Sequence, residues 1–181
     1  MKIIFIFAFF AAQFIYCQEN QIDSKGIGPV HFCTSLAYLH SKFEICKDTT
    51  LNFEEVEWKA VLIRQSDGSW ILAESSWEDS SKVYVISTNS NKYSVDNKIT
   101  VGSTLDLLFS EKYILDFNEG EGDCAFKASK DGFSFWFTIP QNEAEIFYQQ
   151  TSELAEGKTI NELLSPNSKI KSLAISCNCN N

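Results

Sequence analysis

The first apolar stretch of the chain has no period. After the single positive charge of Lys2, Ile3 to Ala12 are ten consecutive uncharged, apolar residues. Gln13 interrupts, Phe14-Ile15-Tyr16-Cys17 closes the run, and Gln18-Glu19-Asn20-Gln21 is abruptly polar. A charged start, a short apolar run and a polar exit predict a cleavable export signal over residues 1–17. A membrane-spanning helix needs about 20 apolar residues, and this run is shorter, broken and without a basic flank behind it. The competing reading is a lipid anchor through Cys17. Signals of that kind place a small residue before the cysteine, and Tyr16 is bulky, so cleavage leaving Gln18 first is preferred.

Beyond residue 21 the apolar positions become periodic. Gly26-Ile27-Gly28-Pro29 is a turn leading into a short extended piece, Val30-His31-Phe32. Thr34 or Ser35 then caps a helix whose Leu36, Leu39 and Phe43 recur at helical spacing. Asn52 to Trp58 gives no clear pattern. Ala60-Val61-Leu62-Ile63, the turn Ser66-Asp67-Gly68-Ser69 and Trp70-Ile71-Leu72-Ala73 predict a β-hairpin. Lys82 to Ser87, rich in β-branched residues, reads as a further strand.

A similar order follows. Ile99-Thr100-Val101-Gly102 is a short extended piece, and a helix starts at Ser103-Thr104 with Leu105, Leu108 and Phe109 as its apolar stripe. Ser103 and Asp106 stand at capping-box spacing. After the acidic loop Asn118 to Asp123 come a strand Phe133 to Ile139, a turn Pro140-Gln141-Asn142 and a strand Glu145 to Gln150. A short helix is expected over Thr159 to Leu164, and a last strand over Lys169 to Ser176. The fold class expected is α+β, as two fused repeats over residues 18–91 and 92–181, each a short helix packed on antiparallel strands. Val30–Leu36 matches Ile99–Leu105 in pattern, and Lys82–Ser87 echoes Lys171–Ser176.

The stretch Tyr93-Ser94-Val95-Asp96-Asn97-Lys98-Ile99-Thr100-Val101-Gly102-Ser103-Thr104 resembles the segment Tyr-x-Thr-x-x-Gly-Ile-x-Val-Gly-x-Thr of small exported bacterial proteins. These include secreted proteins of the Bacteroidetes type and, more distantly, the tandem-repeat β-lactamase-inhibitor-like fold and small outer-membrane-assembly lipoproteins. Gly26-Ile27-Gly28-Pro29-Val30 resembles the entry to the first repeat of such chains. Ser94 stands in place of Thr, Asn97 in place of Gly, and Cys33 in place of the Gly seen at Gly102. Asn accepts the left-handed conformation, so the turn at Asn97 survives. The resemblance implies a fold and a compartment, and it carries no catalytic residue.

Charge and cysteine content narrow the partners. The formal charge is −9, and loss of Lys2 with the signal makes it −10. A chain this acidic repels phosphate backbones and anionic membranes, so a nucleic-acid partner is not expected, whereas a protein with a basic surface is. Five cysteines follow the signal: Cys33, Cys46, Cys124, Cys177 and Cys179. In an oxidising compartment they are disulfide candidates, and an odd number leaves at least one thiol. Sequence alone leaves their pairing open. Cys177 and Cys179 share a side if the last strand extends that far. A zinc site is not expected, since no second cysteine pair has suitable spacing.

No catalytic signature stands out. There is no Gly-x-Ser-x-Gly elbow. The two histidines, His31 and His40, read as surface residues, and Cys33 near His31 is the one local thiol–imidazole candidate. The loop Asp116 to Asp123 alternates oxygen donors, yet Glu121 stands where an EF-hand needs Gly and Lys127 where it needs its closing Glu. Carboxylates are abundant enough that neighbouring pairs carry no information. No cofactor is expected. Trp58, Trp70, Trp77 and Trp136 fall on or near strands, and any of them on an open sheet face would make a protein-binding surface. The reading is therefore an exported, non-catalytic protein-binding module, with an envelope-associated structural protein, anchored if Cys17 is lipidated, as the alternative and a secreted hydrolase as the least favoured.

Overall fold

The computed structural model describes residues 20–53, 55–117, 125–177 and 179. The segment read as an export signal lies outside the described residues, as do Cys17, Cys124 and most of the acidic loop. The elements in chain order are β1 (Ile22–Asp23), β2 (Gly26–Ile27), β3 (Val30–His31), α1 (Leu36–Lys42), β4 (Cys46–Phe53), β5 (Val56–Arg64), β6 (Trp70–Glu74) and β7 (Val85–Thr88). They continue with β8 (Ser94–Val95), β9 (Ile99–Thr100), α2 (Leu105–Ser110), β10 (Ile114–Phe117), β11 (Ala125–Lys130), β12 (Phe133–Thr138), α3 (Gln141–Gln149), α4 (Ser152–Ala155), α5 (Ile160–Leu163) and β13 (Ser172–Ser176). This is an α+β protein.

One antiparallel sheet organises it, with strand order β10-β11-β12-β13-β7-β6-β5-β4. Because side chains alternate along a strand, the register alone divides the two faces. One cross-strand row reads Phe117, Phe126, Phe137, Leu173, Thr88, Ile71, Ile63, Cys46. That row lines the core, and its inner members are buried. The adjacent row, on the opposite face, runs Asp116, Lys127, Trp136, Ala174, Ser87, Leu72, Leu62, Lys47 and is only partly covered.

The hairpin β5–β6 forms as the sequence predicts. Gly68 takes the left-handed conformation its turn needs (φ 85°), and Asp67 Oδ1 accepts from the Ser69 N–H at 3.0 Å. Ser35 caps α1 by accepting from the Tyr38 N–H at 3.1 Å. Asn97 is left-handed (φ 56°), as expected for the β8–β9 turn. At α2, by contrast, Thr104 is the N-cap residue, and Ser103 Oγ accepts from the Thr100 N–H at 3.0 Å instead of closing a box with Asp106.

Three expectations are corrected. The segment Glu145–Gln150, read as a strand, belongs to helix α3. A strand over 145–150 would have put Ile146 and Tyr148 on one face and Phe147 on the other; the helix buries Ala144 and Phe147, three apart, and leaves Ile146 54% exposed. Phe147 closes the aromatic core, 4.9 Å from Phe126 and 5.1 Å from Phe117 between ring centroids. Burying a phenylalanine is worth about 1.5–3 kcal/mol, more than the roughly 1 kcal/mol span of strand propensity. Second, Cys46–Phe53 is an eight-residue edge strand that the sequence does not announce, because its core-facing positions Cys46, Asp48 and Thr50 are polar or small. Third, strands β10 and β11 flank the acidic loop, where no strand was read.

The two strand-to-helix junctions carry the same backbone bonds. Cys33 N–H donates to Val83 O, Val83 N–H to Thr34 O and Leu36 N–H to Ser81 O, each at 2.9 Å. In the second junction Gly102 N–H donates to Ile170 O at 2.8 Å, while Ile170 N–H donates to Ser103 O and Leu105 N–H to Ser168 O, each at 3.0 Å. Lys82 and Lys169 thus occupy matching places, whereas the sequence pattern had set Lys82 against Lys171. These bonds occupy the chain up to Val83 and Ile170, so β7 and β13 start later than read. The left-handed site filled by Gly102 (φ 92°) is filled in the first junction by Cys33 (φ 59°).

Candidate functional site

Edge strand β4 and helix α1 bring three reactive side chains together. Cys46 and Asp48 are two apart on β4 and so share its core-facing side, at the open end of the sheet. Helix α1 lies over that side, and its last turn carries His40. His40 Nε2 is 2.8 Å from Asp48 Oδ1, and Cys46 Sγ is 3.0 Å from His40 Nδ1. With Nε2–H donated to the carboxylate, Nδ1 is the ring's acceptor and faces the thiol. Cys46 Sγ also lies 3.6 Å from the Phe43 carbonyl oxygen. His40 and Asp48 line a cleft of about 650 Å³ whose other walls include Ser35, Thr50, Lys59 and Ser81. Cys46 is half-buried beside His40 and is not itself among the residues that line the cleft.

The sequence reading missed this group. The local thiol–imidazole pair in sequence, Cys33 and His31, is not one in the fold: Cys33 is in a disulfide and His31 is an exposed residue of β3. The missing signal was β4 itself: once 46–53 is a strand, Cys46 and Asp48 fall on one face by period two.

A second feature lies at the end of the sheet where β5 and β6 meet the loop before β7. Val56, Trp58, Ser76, Trp77, Tyr84 and Val85 line a mostly apolar groove of about 420 Å³. Trp77 is 70% exposed, and Val56 is exposed beside it. Trp58 Nε1–H donates to Glu74 Oε2 at 3.1 Å within the groove wall. Burial pushes the Glu74 carboxyl above its ordinary value, and the Trp58 bond works against that. Glu55, Glu57 and Glu78 stand exposed on the flanking segments, with Lys59 and Lys82 as the nearby cations in sequence. Trp70 and Trp136 are half-buried on the open face, the latter under Lys127 Nζ at 5.8 Å from the ring centroid.

The remaining candidates separate cleanly. Cys33 and Cys179 are disulfide-bonded, with Cα atoms 5.6 Å apart. Cys46 and Cys177 carry free thiols. Cys46 lies four strands from β13 in the sheet order, about 19 Å at 4.8 Å per strand, so it cannot bridge to Cys177. β13 ends at Ser176, short of the Cys-x-Cys pair; Cys177 Sγ lies 3.5 Å from Cys179 Sγ, and burial pushes the Cys177 thiol up. The sulfurs of Cys33, Cys177 and Cys179 all lie within 4.8 Å of one another, but two of them are committed to the disulfide. Cys124 and the loop from Asn118 to Asp123 lie outside the described residues.

The architecture defines an α+β protein on a single eight-stranded antiparallel sheet, with small two- and three-stranded sheets beside it. It is similar to the crystal structure of the uncharacterized protein yfeY from Escherichia coli, at a TM-score of 0.59 and 12% identity, over 87% of this chain and 99% of that one. The likeness is one of fold. No protein-family model matches the sequence, and no curated protein matches it. Among the described residues no helix is long and apolar enough to cross a membrane.

Proposed function

We propose that the protein is an exported, non-catalytic module that binds a protein partner with a basic surface in the Trp77 groove, in the manner of an inhibitor. The observation that carries this reading is Trp77: a 70% exposed indole on the loop between β6 and β7, lining one groove with Val56 and Trp58. Exposed tryptophan beside an apolar pocket is the usual composition of a binding hot spot. The formal charge of −9 and the exposed Glu55, Glu57 and Glu78 favour a cationic partner and speed its encounter. Export is supported by the N-terminal pattern and by a disulfide joining residues 146 apart. The finer likeness to inhibitor-type and envelope-assembly proteins rests on the Tyr93–Thr104 pattern.

The test is site-specific photo-crosslinking from position 77 in the native envelope or medium, with a second probe at exposed Ser134 as control. A single basic protein captured from position 77 and not from 134, and lost on Glu78→Lys, supports the reading. Equal capture from both positions, or turnover of a glycan or peptide by the purified chain, would overturn it.

A further inference from the structure

We infer that Cys46, His40 and Asp48 form a thiol-exchange site, at which Cys46 takes up a small disulfide as a mixed disulfide. Three observations converge. The thiol, the imidazole and the carboxylate stand in hydrogen-bonded order, at 3.0 Å and 2.8 Å. A thiol facing the unprotonated nitrogen of an imidazole, with the other nitrogen held by a carboxylate, is the arrangement that generates a nucleophilic sulfur. The cleft that His40 and Asp48 line holds about 650 Å³, the size of a small-molecule pocket, and lies next to the Cys46 thiol. Its walls mix hydroxyls and one cation, Ser35, Thr50, Ser81 and Lys59, with the apolar Leu36, Ala37 and Ala60, so it suits a small ligand with both polar and apolar parts.

Among the described residues Cys46 also has no free cysteine within reach. Cys33 and Cys179 are joined to each other, and Cys177 is about 19 Å away by strand count. The chemistry is closed without any other reagent. The Cys46 thiol proton passes to His40 Nδ1, and the sulfur forms a bond to one sulfur of the incoming disulfide. That disulfide's own S–S bond breaks, and the departing thiolate takes the proton back from His40. One disulfide and one thiol become one mixed disulfide and one free thiol. Asp48 is a positioning residue, holding the ring so that Nδ1 faces the sulfur.

Cys177 provides an internal comparison in the same molecule. It has no imidazole beside it, and burial pushes its thiol up. The experiment is a time course with oxidised glutathione at neutral pH, quenched with acid and mapped by peptide mass so that each cysteine is read separately. The expected result is addition at Cys46 at least about tenfold faster than at Cys177, and a loss of about tenfold or more in the Cys46 rate on His40→Ala. Asp48→Ala should slow it and Asp48→Glu restore it, with the unfolding temperature unchanged in each. Equal rates at Cys46 and Cys177 would overturn the proposal without any variant having to fold. An unchanged Cys46 rate in His40→Ala would overturn it as well.

Discussion

Cys33 and Cys179 are 146 residues apart in sequence and bonded in the fold, tying the turn before helix α1 to the end of the chain just past β13. Cys33 holds a left-handed conformation (φ 59°) at the place where the second junction has Gly102. A non-glycine residue there costs about 1–2 kcal/mol, while closing so long a loop stabilises the fold by about 2–5 kcal/mol. The disulfide wins.

Replacing Cys33 therefore destabilises, but by an amount that depends on the substitute. Cys33→Ser loses the crosslink and keeps the strain, for about 2–5 kcal/mol. Cys33→Gly loses the crosslink and relieves the strain, so it should come out about 1 kcal/mol better than Cys33→Ser. Urea unfolding of both variants measures the difference; Cys33→Ser as stable as Cys33→Gly would contradict it.

Helix α3 sets two neighbouring apolar residues against each other. Phe147 is 1% exposed and packs on Phe117 and Phe126, so Phe147→Ala should cost about 3–5 kcal/mol. Ile146 points outward, and Ile146→Ser should change stability by less than about 0.5 kcal/mol. A strand at 145–150 would give the opposite ranking in thermal or chemical denaturation.

Glu74 links stability to pH. Burial raises its folded carboxyl above the ordinary value, so between that value and its raised one the folded state binds more protons than the unfolded. Stability from this group is full below the unfolded value and falls as pH rises through the window. Glu74→Gln keeps an acceptor for Trp58 Nε1–H and removes the charge. Its unfolding temperature should exceed the wild type's at pH 7, and the gap should narrow toward pH 4. A gap that grows on acidification would reverse the sign argued here.

Trp77 separates binding from folding. Because it is mostly exposed, Trp77→Ala should leave stability within about 0.5 kcal/mol and remove about 2 kcal/mol or more of partner affinity. Calorimetric titration of the captured partner against both forms reads the two effects apart.

Local pattern carried much of the fold. The β5–β6 hairpin, the Ser35 cap on α1 and the left-handed turn at Asn97 are each settled within a few residues, by turn chemistry and alternation that sequence displays directly. The helical stripes of α1 and α2 were legible for the same reason. Strand β4 was not, because an edge strand with Cys46, Asp48 and Thr50 inward has no apolar alternation to read.

What the sequence by itself determined is the α+β class, the acidity, the supply of cysteines and the absence of familiar catalytic signatures. Only the tertiary structure decided that Cys33 meets Cys179, that Phe147 and not Ile146 faces the core, and that His40 stands between Cys46 and Asp48. The reason is physical. Periodicity and capping are read over one or two turns of chain, whereas these three relationships depend on strand order and on how helices dock across the sheet. Those are set by burial summed over the whole sheet, which no local window contains.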